Sequence, residues 1–350
     1  MKEFKIGNKK IGADNPVFIT VDISANHLGD KERAKELVKK ACECGVDAVK
    51  IQTYTPSTMT LNSEKDPFQV KVNDAWKDRT LYNLYEEAFT PWEWHKELEE
   101  VSLSFNIPLF STAYDDSSVD YLEKMNTPCY KIASFEVTDL ELLKKVAMTK
   151  KPVIISRGLS NLKELELALK TLKESGVEDI VLLHCISSYP SKIEEANLKT
   201  VADIEKRFNV IPGLSDHSLT TCLPLVAVAL GAKVIEKHFT LQRSDGGVDA
   251  NFSLEPEELK RIIKEIREVE KALGKVSYEV GQYEIENKQF RRSLWVIKPI
   301  KKGERLTKEN IGRFRPESGL PIRCLKEVLN KRAKTDISFA TPLSWDLIEK

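Results

Sequence analysis

The chain has 350 residues, 41% of them hydrophobic, and its 54 Lys+Arg balance 54 Asp+Glu for a formal net charge of zero. That length suits one large α/β domain plus a small module, with enough apolar residues for a sizeable core. Zero net charge excludes a general electrostatic nucleic-acid binder, and no apolar run approaches the roughly 18 residues of a membrane-spanning helix. The opening Met1-Lys2-Glu3-Phe4-Lys5 lacks the apolar core of an export signal, so a cytoplasmic location is expected. Six cysteines (Cys42, Cys44, Cys129, Cys185, Cys222 and Cys324) show no CxxC spacing and read as small core residues in a reducing compartment.

In chain order, residues 17–22 alternate as an apolar strand and are followed by Ser24-Ala25-Asn26-His27. Residues 31–44 read as a helix closed by Gly45, and 48–53 as a strand carrying Lys50 and Gln52. Residues 55–90 form a long insertion whose Phe68, Trp76, Tyr82 and Tyr85 argue for a functional loop rather than disorder. A helix over 92–105 opens with Thr90 as cap and Pro91 in its first turn. Strands at 108–112, 129–134, 153–156 and 180–185 are then each followed by a helix, at 117–125, 140–148, 162–175 and 196–208. Strands at 210–215 and 233–238 flank an apolar helix over 219–230, and a helix over 255–273 closes the series. Eight strand-then-helix units predict an α/β fold with a closed (β/α)8 barrel rather than an open sheet, and no GxGxxG opens a helix.

In such a barrel the chemistry gathers at the carboxyl ends of the strands. Those ends offer Asp22, Lys50 with Gln52, Thr112, Lys131 with Ser134, Ser156 with Arg157, His184 with Ser187, Ser215 with His217, and Glu236 with His238. Lys50 and Lys131 are flanked by strand residues and would point inward. A buried lysine needs an anion, either an internal carboxylate such as Asp22 or Glu236 or the phosphate or carboxylate of a ligand. His217 and His238 end two neighbouring parallel strands, where two imidazoles can share one divalent metal and leave other positions open. The alternative for each is a buried structural histidine, the role expected for His184.

After residue 273 the pattern changes. Residues 274–289 read as a polar linker. Residues 290–350 read as a module of short strands (293–297, 340–344) with helical turns at 308–311 and 324–329, marginal alone at its size. Arg313-Phe314-Arg315-Pro316 is a cationic loop, either solvated or reaching an anionic ligand on a barrel.

Five runs, in order, resemble the sialic acid synthase family: Lys50-Ile51-Gln52-Thr53, Phe110-Ser111-Thr112, Tyr130-Lys131-Ile132-Ala133-Ser134, Gly213-Leu214-Ser215-Asp216-His217 and Glu236-Lys237-His238-Phe239-Thr240. The resemblance covers almost the whole chain. It implies a TIM-barrel catalytic domain over 1–273, a linker over 274–289 and a small β-rich antifreeze-like (SAF) domain over 290–350. It also implies a transferase that condenses phosphoenolpyruvate with an amino sugar to make a nine-carbon nonulosonic acid. The runs Ser24-Ala25-Asn26-His27, Gln52-Thr53-Tyr54-Thr55-Pro56 and Thr90-Pro91-Trp92-Glu93-Trp94 are similar to the branch that makes pseudaminic acid from 2,4-diacetamido-2,4,6-trideoxy-L-altrose. The N-acetylneuraminate and legionaminate branches are the alternatives.

Position by position, the resemblance implies His217 and His238 as ligands of a divalent cation, Mn2+ foremost, with Mg2+ or Co2+ as alternatives. Lys50, Thr112, Lys131, Ser134, Ser156, Ser187 and Ser215 would hold phosphoenolpyruvate. Gln52 joins the substrate contacts, and Tyr189 and Asp249 would face the sugar. Lys50 and Lys131 would fix the phosphate and carboxylate, and Asp22 or Glu236 would handle the attacking water. Arg315 would come from the partner subunit of a domain-swapped homodimer. Two positions depart from the family pattern: Asp22 stands where a glutamate is usual, and Arg157 where a threonine is common. Arg157 would add an anion contact or pair with Asp22.

Overall fold

The computed structural model describes residues 2–71, 76–77 and 79–349. It opens with a hairpin that the sequence reading does not include, β1 (Glu3–Ile6) paired antiparallel with β2 (Lys9–Gly12). Phe4, Ile6 and Ile11 of this hairpin share one core cluster with Phe18, Phe110 and Ile154. The hairpin thus supplies apolar side chains to the barrel interior.

Eight parallel strands close the barrel: β3 (Phe18–Asp22), β4 (Ala48–Thr53), β5 (Leu109–Ala113), β6 (Tyr130–Ile132), β7 (Val153–Ser156), β8 (Ile180–Cys185), β9 (Ile211–Asp216) and β10 (Val234–His238). β10 returns to pair with β3, so the sheet has no edge. The period of two along each strand sorts the side chains. Phe18, Ala48, Val181 and Val234 fill the interior, while Ile19, Val49, Ile51 and Ile235 pack outward in a separate cluster. By the same alternation Asp22, Lys50, Gln52 and Glu236 face inward, toward the carboxyl-end opening.

Helices α1 (Lys31–Cys44), α2 (Pro56–Met59), α3 (Leu81–Ala88), α4 (His95–Ser104), α5 (Asp116–Lys124), α6 (Leu140–Met148), α7 (Leu162–Glu174), α8 (Lys199–Phe208), α9 (Cys222–Ala229) and α10 (Pro256–Leu273) follow in order. Local chemistry sets their limits. Asp30 caps α1 by accepting from the backbone N–H of Glu32 and Arg33, and Gly45 closes it at φ 92°. Three expectations shift. The insertion over 55–90 is partly helical, holding α2 and α3. The apolar helix begins at Cys222, not 219, which keeps Pro224 in the first turn, where its missing N–H costs nothing. The helix expected from 196 begins at Lys199, because Asn197 sits at φ 42°.

The chain divides into two units, Met1–Gly274 and Lys275–Lys350. The second holds β11 (Ser293–Val296) antiparallel to β12 (Ile311–Phe314), with α11 (Leu325–Val328) and a core that includes Leu294, Ile300 and Leu306. Ile311 starts a strand instead of ending a helical turn. Residues 340–344 form no strand; Pro342 makes only an isolated bridge to Trp295, and Ala340 sits at φ 57°. Four cysteines are buried as expected, but Cys222 is exposed and Cys324 half-buried. Among the described residues no helix is long and apolar enough to cross a membrane.

Candidate active site

The inward-facing polar ends line a cavity of about 380 Å³ in the first unit. At its floor Lys50 and Lys131 are 3% and 2% exposed. Lys50 donates to Asp22 and, at 3.3 Å, to the Thr112 hydroxyl. Lys131 donates to Ser156 Oγ at 2.8 Å. Both ammonium groups lie 3.8 Å from the same oxygen, Glu236 Oε1, which also accepts from Ser215 Oγ at 3.1 Å. The lysines therefore have internal carboxylate partners, the first of the two alternatives, while still facing the cavity. Such a buried network is weak evidence for stability, since apolar residues would serve as well. It preorganises two cations and several hydroxyls around a space that an anion can enter.

The protonation states differ sharply. Burial would raise the Asp22 carboxyl, but the Lys50 ammonium, the neighbouring His238 and the Gln52 amide together outweigh it and hold Asp22 near pKa 2. Burial would lower Lys50, yet Asp22 and Glu236 hold it above its ordinary value. Burial lowers Lys131 and Glu236 only partly offsets it. Lys50 is thus the firmer cation.

Ser134 lines the cavity, and Ser187 stands behind it with the two hydroxyls 2.7 Å apart. Gly158, at φ 39°, is required there: a Cβ would come within 1.9 Å of Ser134 Cβ and 2.6 Å of Ser187 Oγ. Gln52 donates to Asp22 Oδ2 at 2.9 Å and to Ser24 Oγ at 3.1 Å, and Ser24 in turn contacts Asp249. Burial lifts the Asp249 carboxyl to about 6.

His217 and His238 face each other with ring centroids 5.3 Å apart; Phe252 packs against both rings and Tyr189 against His217. His217 Nδ1 bonds the Ile186 carbonyl at 3.0 Å, which leaves Nε2 as the free lone pair. His238 Nδ1 is buried without a hydrogen-bond partner, 3.9 Å from Asp249 Oδ2. Burial lowers His217 to about 4 and His238 well below its ordinary value, so both rings are neutral and able to ligate. The unpartnered nitrogen, the neutral rings and their spacing fit a divalent cation, at nitrogen–metal bonds of about 2.1 Å. Among the described residues no three His, Cys, Asp or Glu side chains form a ready-made cluster, so remaining positions would fall to water or substrate.

Some features escaped the sequence reading. Glu136, two residues beyond Ser134, lines the cavity with one buried, unpartnered carboxylate oxygen, and burial raises it to about 7 against the pull of Lys131. Its spacing after a strand-end serine was the available signal. Tyr54 and Tyr114 pack edge to face at 5.2 Å, and Trp76 of the insertion bonds the Val248 carbonyl at 2.9 Å, so the insertion walls one side of the cavity. Arg157 does neither thing proposed for it. It is absent from the cavity lining and pairs with no carboxylate among the described residues, its guanidinium donating to the Gly158 carbonyl at 3.4 Å. His184 lies on the outward face and bonds the Ala196 carbonyl at 2.7 Å. Arg315 is exposed on the second unit.

Residues 37–278, more than half of the chain, match the NeuB family. The chain belongs to the NeuB family. Its residues 291–349 match the SAF domain. This NeuB-family chain is 42% identical to the pseudaminic acid synthase of Campylobacter jejuni over 97% of this chain and 98% of that protein. It is 43% identical to the pseudaminic acid synthase of Helicobacter pylori over 96% and 98%. Among solved structures, the N-acetylneuraminic acid synthetase of Leptospira borgpetersenii in complex with citrate aligns at TM-score 0.73 and 32% identity, covering 82% of this chain and 95% of that one.

Proposed function

We propose that this NeuB-family chain condenses phosphoenolpyruvate with 2,4-diacetamido-2,4,6-trideoxy-L-altrose and water, giving pseudaminic acid and phosphate. The observation that carries the reading is the pair of buried lysines on one carboxylate, lining the same cavity as two facing imidazoles. A floor of that kind suits a small, multiply charged anion. The specific sugar rests on the relatives more than 40% identical over nearly full length, which bear that activity in their names.

In the reaction, C3 of phosphoenolpyruvate bonds to the aldehyde carbon of the open-chain sugar as the carbonyl π bond breaks and its oxygen takes up a proton, and water adds at C2 with loss of a proton. The C2–O bond to phosphate then breaks. No serine or cysteine nucleophile is needed. Lys50, held protonated, and Lys131 grip phosphate and carboxylate, with Ser134, Ser156 and Thr112 donating to the same oxygens. A bound anion replaces part of the attraction that Asp22 and Glu236 now supply. A divalent cation held by His217 and His238, Mn2+ foremost, would polarise the aldehyde carbonyl as a Lewis acid. Asp22, firmly ionised, is a poor proton donor and serves to orient Lys50 and Gln52. Glu136, with its carboxyl near 7, is the group best matched to taking or giving the proton of the added water. Asp249 and Tyr189 face the sugar end.

The working form is a cytoplasmic homodimer in which Arg315 of each SAF domain serves the other subunit's cavity. The exposure of the Arg313–Arg315 loop and of Tyr278 and Tyr283, 99% and 97% exposed, supports a partner surface. Phosphate release is to be measured with phosphoenolpyruvate and each candidate sugar in parallel. Release with the trideoxy altrose and little with N-acetylmannosamine or the legionaminate precursor is the expected result. No release with any sugar would sink the synthase reading.

A further inference from the structure

His217 stands one residue beyond the sheet. The last paired rung between β9 and β10 is Asp216 with Lys237, whereas His238 is still paired, with Asp22 of β3. The strand ladder therefore holds His238 in place, whereas His217 keeps a single backbone bond, from the Ser191 N–H to its carbonyl at 3.3 Å. Beside the ring's own bond to the Ile186 carbonyl, the turn around His217 is held by a side-chain network on the outward face. Asp216 Oδ1 accepts the Ser218 N–H at 2.9 Å, and its Oδ2 accepts the Ser218 hydroxyl at 3.0 Å, which folds the chain around His217. Lys237, the neighbour of His238, donates to Asp216 Oδ2 at 2.7 Å and to the Ser218 carbonyl.

Lys237 is fully buried, Asp216 and Ser218 are 3% and 4% exposed, and none of the three lines the cavity. A charge pair shut away from both water and ligand costs desolvation that an apolar pair would avoid. Its position, directly opposite in the ladder and adjacent in sequence to both histidines, supplies a reason for it. We propose that Lys237 and Asp216 are a positioning pair that locks the turn carrying His217 to the strand carrying His238, and so sets the two imidazoles at the spacing one divalent cation needs. The inference rests on the metal reading above and adds to it two residues that touch neither metal nor substrate.

The test uses the full chain and Mn2+ as probe. Mn2+ affinity is measured by the paramagnetic signal of the free ion, and phosphoenolpyruvate affinity separately by calorimetry without metal. In the double variant Asp216→Asn/Lys237→Met, which removes both charges and leaves neither unpaired, Mn2+ affinity is expected to fall about tenfold or more. Phosphoenolpyruvate affinity should stay within about twofold, since Lys50, Thr112, Lys131 and Ser156, which would grip it, lie on β4 to β7; general loosening of the barrel would weaken both. A folded double variant that binds Mn2+ as tightly as the unaltered protein overturns the proposal. Should the double variant fail to fold, Ser218→Ala decides instead: it deletes one bond to Asp216, and unchanged Mn2+ affinity there overturns the pair. Failure of the unaltered protein to bind Mn2+ overturns the metal reading, and the positioning role with it.

Discussion

Lys131 Nζ lies 3.8 Å from Glu236 Oε1, with both groups almost wholly buried and both facing the cavity. The same oxygen is 3.8 Å from Lys50, so one carboxylate stands between two cations. An entering phosphate or carboxylate thus finds cations already held in position.

Lys131→Met should lower phosphate release by about a hundredfold or more, the scale of losing one preorganised charge contact. It should also destabilise the fold by about 3 kcal/mol, because Glu236 loses one of its two cations. Adding Glu236→Gln should recover most of the melting temperature without recovering turnover. Turnover that returns along with stability would show that the lysine serves the fold alone.

Metal dependence follows from the imidazole pair. Excess chelator should abolish phosphate release and Mn2+ should restore it. His238→Ala should leave the barrel folded, because its Nδ1 has no hydrogen-bond partner to lose. Full turnover in excess chelator would end the metal assignment.

Glu136 gives a pH signature. Its carboxyl is raised from 4.5 to about 7 by burial. The folded state therefore binds the proton more tightly than the unfolded chain does. The stability this contributes is complete below about pH 4.5 and is lost as pH rises through about 7. Glu136→Gln should match the unaltered protein in stability near pH 4.5 and exceed it by about 1 kcal/mol at pH 8, allowing for the partial exposure of the side chain. Denaturant melts at both pH values measure this. A stability difference independent of pH would contradict it.

Arg315→Ala should impair turnover while the melting temperature of the barrel is unchanged. Mixing it with Lys131→Met should restore part of the activity, because a heterodimer carries one intact combination of barrel and arginine. Verified heterodimers without recovered activity would count against the exchange between subunits.

Much of the fold was legible before any coordinates. The period-two strands, the glycine and Asx caps and the eightfold alternation are local signals, and they place Lys50, Lys131, Glu236 and His238 on one barrel face by parity alone. The hairpin over residues 3–12 was missed because its two strands are only four residues each. The helical character of 81–88 was missed because a polar insertion hides an eight-residue amphipathic stretch. The direction of Arg157 was not legible, because being next to Ser156 does not fix where a long, flexible side chain points.

The sequence by itself determined the barrel, the change of pattern after residue 273 and the residue types at each strand end, because spacing and alternation are properties of the chain. Only the tertiary structure decided which groups share a proton or a charge. It tied Lys50 to Asp22, left one Glu136 carboxylate oxygen buried and unpartnered at the cavity wall, and joined Lys237 to Asp216 behind the histidines. Burial and Coulomb attraction depend on distances between strands that are remote in sequence, and those distances exist only once the barrel has closed.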